Sequence, residues 1–345
     1  MRYNGAMTKG DRKMTAPDRR LSVAPMMDWT DRHCRHFHHL VAPDALLFTE
    51  MVTADAVIHG DRDRLLGQPP EDIGAGVPVA LQLGGSDPER LAEATRIAND
   101  YGYAEINLNV GCPSDRVRSG RFGACLMAEP ALVAECVGAM AEATRLPVTV
   151  KCRIGIDDMD EESGLDSFID AIEKGGVRTV YLHARKAWLN GLSPKENRDI
   201  PPLNYGRAAR LATSRPHMQV ILNGGLDNVD STLAELPLFA GVMLGRAAYR
   251  TPMILADLAV PIFGREIPSR LQIAGAMADY ADRRTAEGVP LHAITRHMLG
   301  LYHGQRGARL WRRHLGEEAR NRSDGGALIR EVAAACEQMA ARLAA

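Results

Sequence analysis

Cys112, Lys151 and His183 are the residues whose types and settings point most directly to chemistry, because each stands where an apolar run stops. A lysine that closes a core strand is costly to bury unless something anionic meets it. Two chemistries use such a group. A desolvated, neutral amine forms a Schiff base with a carbonyl substrate, as in aldolases. A cationic one faces the electron-rich edge of a reduced flavin and favours its anionic form. A structural reading would instead pair Lys151 with a loop carboxylate. Cys112 is bracketed by Gly111 and Pro113, which turn the chain outward. A free thiol, with a pKa near ~8.5, is mostly protonated at neutral pH and can donate a proton. No histidine adjoins Cys112 in sequence, so nothing local makes it a protease-like nucleophile. Cys34, Cys125, Cys136, Cys152 and Cys336 read as small core residues.

These groups must be positioned by a repeating framework. Short apolar runs recur at Leu21–Met27, Ala45–Met51, Pro78–Leu83, Ala104–Val110, Pro147–Cys152, Thr179–His183, Gln219–Leu222 and Gly241–Leu244, with helical patterns between them. The runs read as continuously apolar, as expected of a parallel sheet covered on both faces. Eight strand–helix units of this length predict an α/β fold, a (β/α)8 TIM barrel. A doubly wound sheet would want Gly-x-Gly-x-x-Gly after its first strand, where this chain has Met27-Asp28-Trp29-Thr30. Beyond about residue 262 the periodicity becomes helical over Arg270–Ala286, Leu291–Leu301, Ala308–Leu315 and Ala327–Leu343. The expected division is a disordered lead over 1–20, a barrel over 21–262 and a small all-helical domain over 263–345.

In such a barrel the chemistry gathers at the C-terminal ends of the strands. Strand one ends in Pro25-Met26-Met27, a corner suited to a flat aromatic ligand. Strand three ends in Gln82 and strand four in Asn107-x-Asn109-x-Gly111-Cys112; Gln82 and Asn109 offer paired donor and acceptor groups suited to a pyrimidine-like ring edge. Strand five ends in Lys151-x-Arg153 and strand six in His183-x-Arg185. The last two strands end in Asn223-Gly224-Gly225 and Gly245-Arg246. Loops there commonly bind phosphate, with glycines exposing backbone N–H groups and an arginine gripping two oxygens.

Composition narrows the classes. Forty-two basic residues stand against forty-three acidic ones, so a polyanion would have to be met by a local patch. Six cysteines without a Cys-x-x-Cys pair suggest neither a disulfide framework nor a zinc ribbon, and the sequence reads as cytoplasmic. No run is long and apolar enough for a membrane span, and the polar first twenty residues are no secretory signal. No metal site and no obligate protein partner are indicated.

Ile106–Met127 (INLNVGCPSDRVRSGRFGACLM), Ala24–Arg35, Leu81–Pro88 and His183–Arg198 together resemble the tRNA-dihydrouridine synthases. His183–Arg198 and the Gly307–Arg312 run are similar to their A subfamily, and the resemblance covers about residues 21–320. Arg306 departs from the pattern, where a proline is expected. The resemblance implies FMN in the barrel mouth, with Pro25, Met26 and Met27 against its ring and Gln82, Lys151 and His183 contacting it. It implies Asn223, Gly224, Gly225, Gly245 and Arg246 around the phosphate. It also implies NADPH as reductant, tRNA as partner, hydride transfer from the flavin to uracil C6, and Cys112 as general acid at C5. Asn109 would orient the base, which must be turned out of the tRNA elbow.

Residues 265–345 carry thirteen basic against nine acidic residues, and five arginines with no acid lie between Arg296 and Gly316. Alone, Arg309, Arg312 and Arg313 would read as a solvated helix face. Beside a tRNA-modifying barrel they become candidate phosphate contacts. Lys195 and Arg198 would form the opposing jaw, and the A-subfamily resemblance implies that they help set the docking that selects uridines 20 and 20a. The rival functions are an FMN enzyme acting on a free pyrimidine, a Schiff-base aldolase, and a non-catalytic tRNA-binding protein.

Overall fold

The computed structural model describes residues 17–67, 77–114, 120–322 and 324–342. Eight parallel strands close into a barrel in chain order: β1 Leu21–Val23, β2 Leu46–Thr53, β3 Val79–Gly84, β4 Glu105–Val110, β5 Val148–Arg153, β6 Thr179–His183, β7 Gln219–Asn223 and β8 Gly241–Leu244. Closure is made by β1 against β8, with Leu21, Ser22 and Val23 opposite Val242, Met243 and Leu244. The expected TIM barrel is therefore present, with a helical region after it. β1 is shorter than its apolar run because Pro25 has no N–H to give, although Ala24 N–H still donates to Leu244 O at 2.8 Å.

Helices begin where the sequence supplies caps. Asp87 accepts from Arg90 N–H at the start of Pro88–Ala98, and Asn204 accepts from Arg207 N–H at the start of Tyr205–Ser214. Their apolar faces pack on the outer faces of the strands and form the main core, which includes Leu81, Ile106, Val150 and Leu222. A separate cluster of Ala24, Leu46, Phe48, Ala80, Tyr181, Ile221 and Met243 fills the barrel interior.

Two strands depart from the expected continuous apolar pattern. β4 alternates Glu105, Asn107 and Asn109 with Ile106, Leu108 and Val110, and all six residues are buried. β5 alternates Thr149, Lys151 and Arg153 with Val148, Val150 and Cys152. With period two, one set packs outward on the helices and the other joins the polar network inside the barrel.

Residues 1–16 of the expected lead lie outside the described residues. Arg19, also read as part of that lead, is buried instead: Nε donates to Glu105 Oε2 at 2.7 Å, and Nη1 to Gln219 Oε1 at 3.1 Å. Both partners are far away in sequence, so no local pattern announces the contact.

The last barrel helix, Met253–Phe263, ends on Gly264 at φ 70°. Helices Arg270–Ala286, Ala308–Glu317 and Ala327–Ala341 follow. The expected Leu291–Leu301 helix stops at Thr295. Beyond it the backbone turns irregularly, and two of its carbonyls also accept from side chains, Trp311 Nε1 donating to Met298 O at 2.7 Å and Arg270 Nε to Leu301 O at 3.0 Å. Gly300 also lies so close to Arg250 O that a Cβ would stand 2.4 Å from it. No described helix is long and apolar enough to cross a membrane.

Candidate active site

The mouth of the barrel holds a cavity of about 520 Å3. Among its lining residues are Pro25, Met26, Met27, Gln82, Asn109, Cys112, Lys151, His183, Lys195, Arg198 and Arg246, so the structure brings most of the expected site together. Asn223, Gly224, Gly225 and Gly245 line an adjoining cavity of about 420 Å3 that shares His183, Arg198, Arg246 and Arg250 with the first. The two spaces form one cleft, with the ring-sized part over the barrel axis and the other under the ends of β7 and β8.

The rim after β1 is shaped by Thr30. Its Oγ1 accepts from Met26 N–H at 3.0 Å, and Arg35 Nη1 donates to Thr30 O at 2.7 Å, which fixes Met26 and Met27 at the edge. Asp28, at φ 63°, is held by its N–H donating to Glu50 Oε1 at 2.5 Å. Trp29 stacks on Tyr249 with ring centres 4.3 Å apart, extending the rim toward the helical region.

Lys151 is partly buried, and Nζ donates to Asn223 Oδ1 at 3.0 Å, while Asn223 Nδ2 donates to Met243 O at 2.7 Å. It meets an amide there, not the loop carboxylate of the structural alternative. Burial, and then the Arg153 charge, pulls Lys151 down to about 8. Burial likewise pulls Arg153 down to about 10. His183 is held well below its usual range by burial and by the Arg153 and Lys151 charges, which makes it a neutral ring. Gly224 allows that ring to sit close: a Cβ there would lie 2.3 Å from His183 Cδ2, and its φ of +106° suits glycine.

Cys112 is partly exposed, with Sγ 3.5 Å from Ser114 Oγ. The turn that carries it is pinned by Asn109, whose Oδ1 accepts from the N–H groups of both Gly111 and Cys112 at 3.0 Å. Asn109 Nδ2 donates to Gln82 Oε1 at 3.0 Å, and Gln82 Nε2 to Asn107 Oδ1 at 2.8 Å. The two amides read from sequence as free to meet a ring edge are thus engaged with each other. Gln82 is 1% exposed and Asn109 8%.

Arg153 is the largest contributor that sequence named without a role. Its Nε donates to Gly111 O at 3.2 Å, and Nη1 donates to Lys186 O and to Asn197 O at 3.1 and 2.8 Å. It therefore braces the Cys112 turn against the loop after β6. The buried Asn197 closes that loop, with Nδ2 donating to Trp188 O and Leu192 O and Oδ1 accepting from Trp188 N–H. Lys195 and Arg198, both exposed, flank this staple at the cavity edge. The i, i+2 spacing of Lys151 and Arg153 was the available signal. Arg246, expected to be free for phosphate, pairs with Asp199 Oδ1 at 2.7 Å.

Arg309 and Arg312 do not reach this cleft. They are exposed along a separate groove of about 490 Å3, on the helix whose opposite face buries Trp311. His303 lines both this groove and the cavity beneath β7 and β8. Among the described residues no cluster of three or more His, Cys, Asp or Glu could hold a metal.

This arrangement suits a planar, phosphorylated ligand facing a thiol. The dihydrouridine synthase (Dus) family model matches residues 22–340. A tRNA-dihydrouridine(20/20a) synthase of Xanthomonas campestris pv. campestris is 54% identical over 326 residues, covering 94% of this chain and 96% of the relative. Proteins of the same name from Vibrio parahaemolyticus and Yersinia pestis are 52% and 48% identical, over 91% and 92% of this chain and 96% and 92% of their own lengths. With the family model spanning barrel and helical region alike, the chain belongs to the dihydrouridine synthase family.

Proposed function

We propose that this protein reduces uridines 20 and 20a of tRNA to 5,6-dihydrouridine, with FMN resident in the barrel mouth and NADPH as reductant. The observation that carries the reading is the charge of the main, ring-sized cavity. Lys151, Arg153, Lys195, Arg198, Arg246 and Arg250 line the main cavity, and no carboxylate does among the described residues. An anionic ligand is what such a lining fits.

The residues also fit FMN in shape. Gly245 has no protein atom nearer than 4.0 Å to the position of a Cβ, leaving an open cradle beside Arg246 for a phosphate. Pro25, Met26 and Met27 offer an apolar ledge for the ring, and Lys151 and His183 stand at its polar side. When bound, reduced FMN supplies hydride to the base. Cys112 holds the proton delivered at C5, and Arg153 and Asn109 keep its turn in place. Gln82 orders the cavity wall, while Lys195 and Arg198 meet the tRNA backbone at one side. Arg309 and Arg312 meet it from the helical region, which we assign to tRNA binding over residues 263–345. The relatives, 48–54% identical, carry tRNA and positions 20 and 20a in their names.

The test is direct. The purified protein should be yellow and should form dihydrouridine at positions 20 and 20a of unmodified tRNA, but not from free uridine. A colourless protein that takes up no FMN sinks the reading; equal activity on free uridine favours the free-pyrimidine enzyme.

A further inference from the structure

The polar residues inside β3, β4 and β5 form one continuous chain of hydrogen bonds from the barrel floor to the Cys112 turn. Thr149 Oγ1 donates to Glu105 Oε1 at 3.0 Å, and Asn107 Nδ2 donates to Thr149 Oγ1 at 2.8 Å. From there the chain continues through Gln82 and Asn109 to the two backbone N–H groups already described.

Every donor in this chain points toward the floor. That direction is fixed at both ends. Glu105 Oε2 is paired with Arg19, whose guanidinium cannot be deprotonated in a protein, and Oε1 accepts from Tyr181 Oη at 2.9 Å as well as from Thr149. Burial raises the Glu105 carboxyl, while the Arg19 charge and the Tyr181 and Thr149 donors oppose that rise; as the carboxylate these partners favour, it can only accept, so the Thr149 hydroxyl must donate downward and accept from above. At the mouth, the Gly111 and Cys112 N–H groups can only donate, so Asn109 must present oxygen to them. The amides between have one arrangement that satisfies both ends. Flipping any of them would set donor against donor at one link and acceptor against acceptor at another.

We propose that Glu105 and Thr149 are positioning residues for Cys112: through this one-way column they hold Asn109, and with it the thiol-bearing turn, in its working orientation. Chains of aligned hydrogen bonds polarise one another, so a break at the centre weakens the links on either side. The inference rests on the proposed role of Cys112 as proton donor for its catalytic part, but its structural part stands without that role.

Thr149→Val keeps the shape and removes the hydroxyl; Thr149→Ser keeps the hydroxyl. Two readouts separate the outcomes. The first is the rate at which iodoacetamide alkylates Cys112 in the full-length protein, followed by peptide mass spectrometry. The second is kcat and KM for unmodified tRNA. Ser22→Ala, which removes a buried hydroxyl outside the column, serves as the control.

The Val variant should be alkylated about threefold faster at Cys112, as its turn opens more often. Its kcat should fall about tenfold, with KM for tRNA unchanged, because misplacing a reacting group costs rate more than binding. The Ser variant and the Ser22 control should stay within about twofold of the unaltered protein on both readouts. Wild-type alkylation of the Val variant overturns the column, as does an equal loss in the Ser variant or the Ser22 control. If the unaltered protein fails to reduce tRNA, the functional reading fails, and the alkylation rates still decide the column.

Discussion

The Lys151 ammonium and the Asn223 amide oxygen meet at 3.0 Å across β5 and β7, and among the described residues no carboxylate lines the main cavity on the Lys151 side. Strand β6 lies between them in the sheet, so the pair bridges the barrel at the floor of the cleft. Burial and Arg153 leave Lys151 easily deprotonated, and an anionic ligand would restore its proton.

FMN binding should therefore depend on pH through Lys151. Below about 8 the lysine carries its proton before binding, and affinity should be flat. Above that value binding must take up a proton, and the dissociation constant should rise by up to about tenfold per pH unit. Flavin fluorescence titrations between pH 6.5 and 9.5 measure this. Lys151→Met should bind more weakly and lose the slope.

Cys112→Ala should separate the two half-reactions. Loss of a general acid typically costs about 100-fold or more. Dihydrouridine formation should fall by that factor, while NADPH reduces the flavin at an unchanged rate in stopped-flow measurements. An unchanged rate of tRNA reduction would remove the thiol from the mechanism.

Gly224 and Gly245 should respond differently to alanine. At Gly224 the new Cβ meets His183 and the backbone has positive φ, so the cost should be about 1–3 kcal/mol of stability, seen in denaturant melts. At Gly245 no protein atom stands in the way. Gly245→Ala should melt close to the unaltered protein without ligand, yet bind FMN more weakly, because the methyl group fills the space proposed for phosphate.

Arg309→Glu and Arg312→Glu should each weaken tRNA binding across sequences and lower the slope of log K against log salt by about 1. Both side chains are exposed, so melting should be unaffected. Trp311, between them in sequence, is fully buried, and Trp311→Ala should cost about 3–5 kcal/mol instead.

Mild acid should loosen the seam between the barrel and the helical region. His36 stacks on Tyr280, and His33 Nδ1 lies 2.6 Å from Tyr280 Oη. Burial pulls His33 to about 4 and His36 to about 3, and likewise pulls His38, which faces Ala248 O on the barrel side, to about 4. Such depressed groups contribute stability that is complete above about pH 6.5 and is lost as pH falls toward 4. Calorimetry from pH 7.5 to 4.5 should show a steady fall in Tm. His36→Phe, which keeps a ring on Tyr280, should make that fall shallower.

Much of the frame was legible because it is local. Eight apolar runs gave eight strands, and Thr179–His183 and Gly241–Leu244 match residue for residue. The rim residues were legible for the same reason, since a strand end can be read from where the run stops. What stayed hidden depends on partners distant in sequence. Nothing near Asn109 says that its oxygen is taken by two backbone donors, and nothing near Arg246 announces Asp199. The alternation in EINLNV was present in the sequence; its meaning required the barrel interior to be polar at that place. The shortened Leu291–Leu301 helix shows the same limit, because the indole that captures Met298 O comes from thirteen residues downstream.

Arg19 has a practical consequence for anyone trimming this protein. A version begun at Leu21 would keep every strand, yet strand Glu105 at the bottom of the barrel with no counter-charge. Shortened forms should therefore start at or before Asp18, which itself holds Arg20. A clone cut at the apparent edge of the first strand would be expected to express poorly for reasons that have nothing to do with its active site.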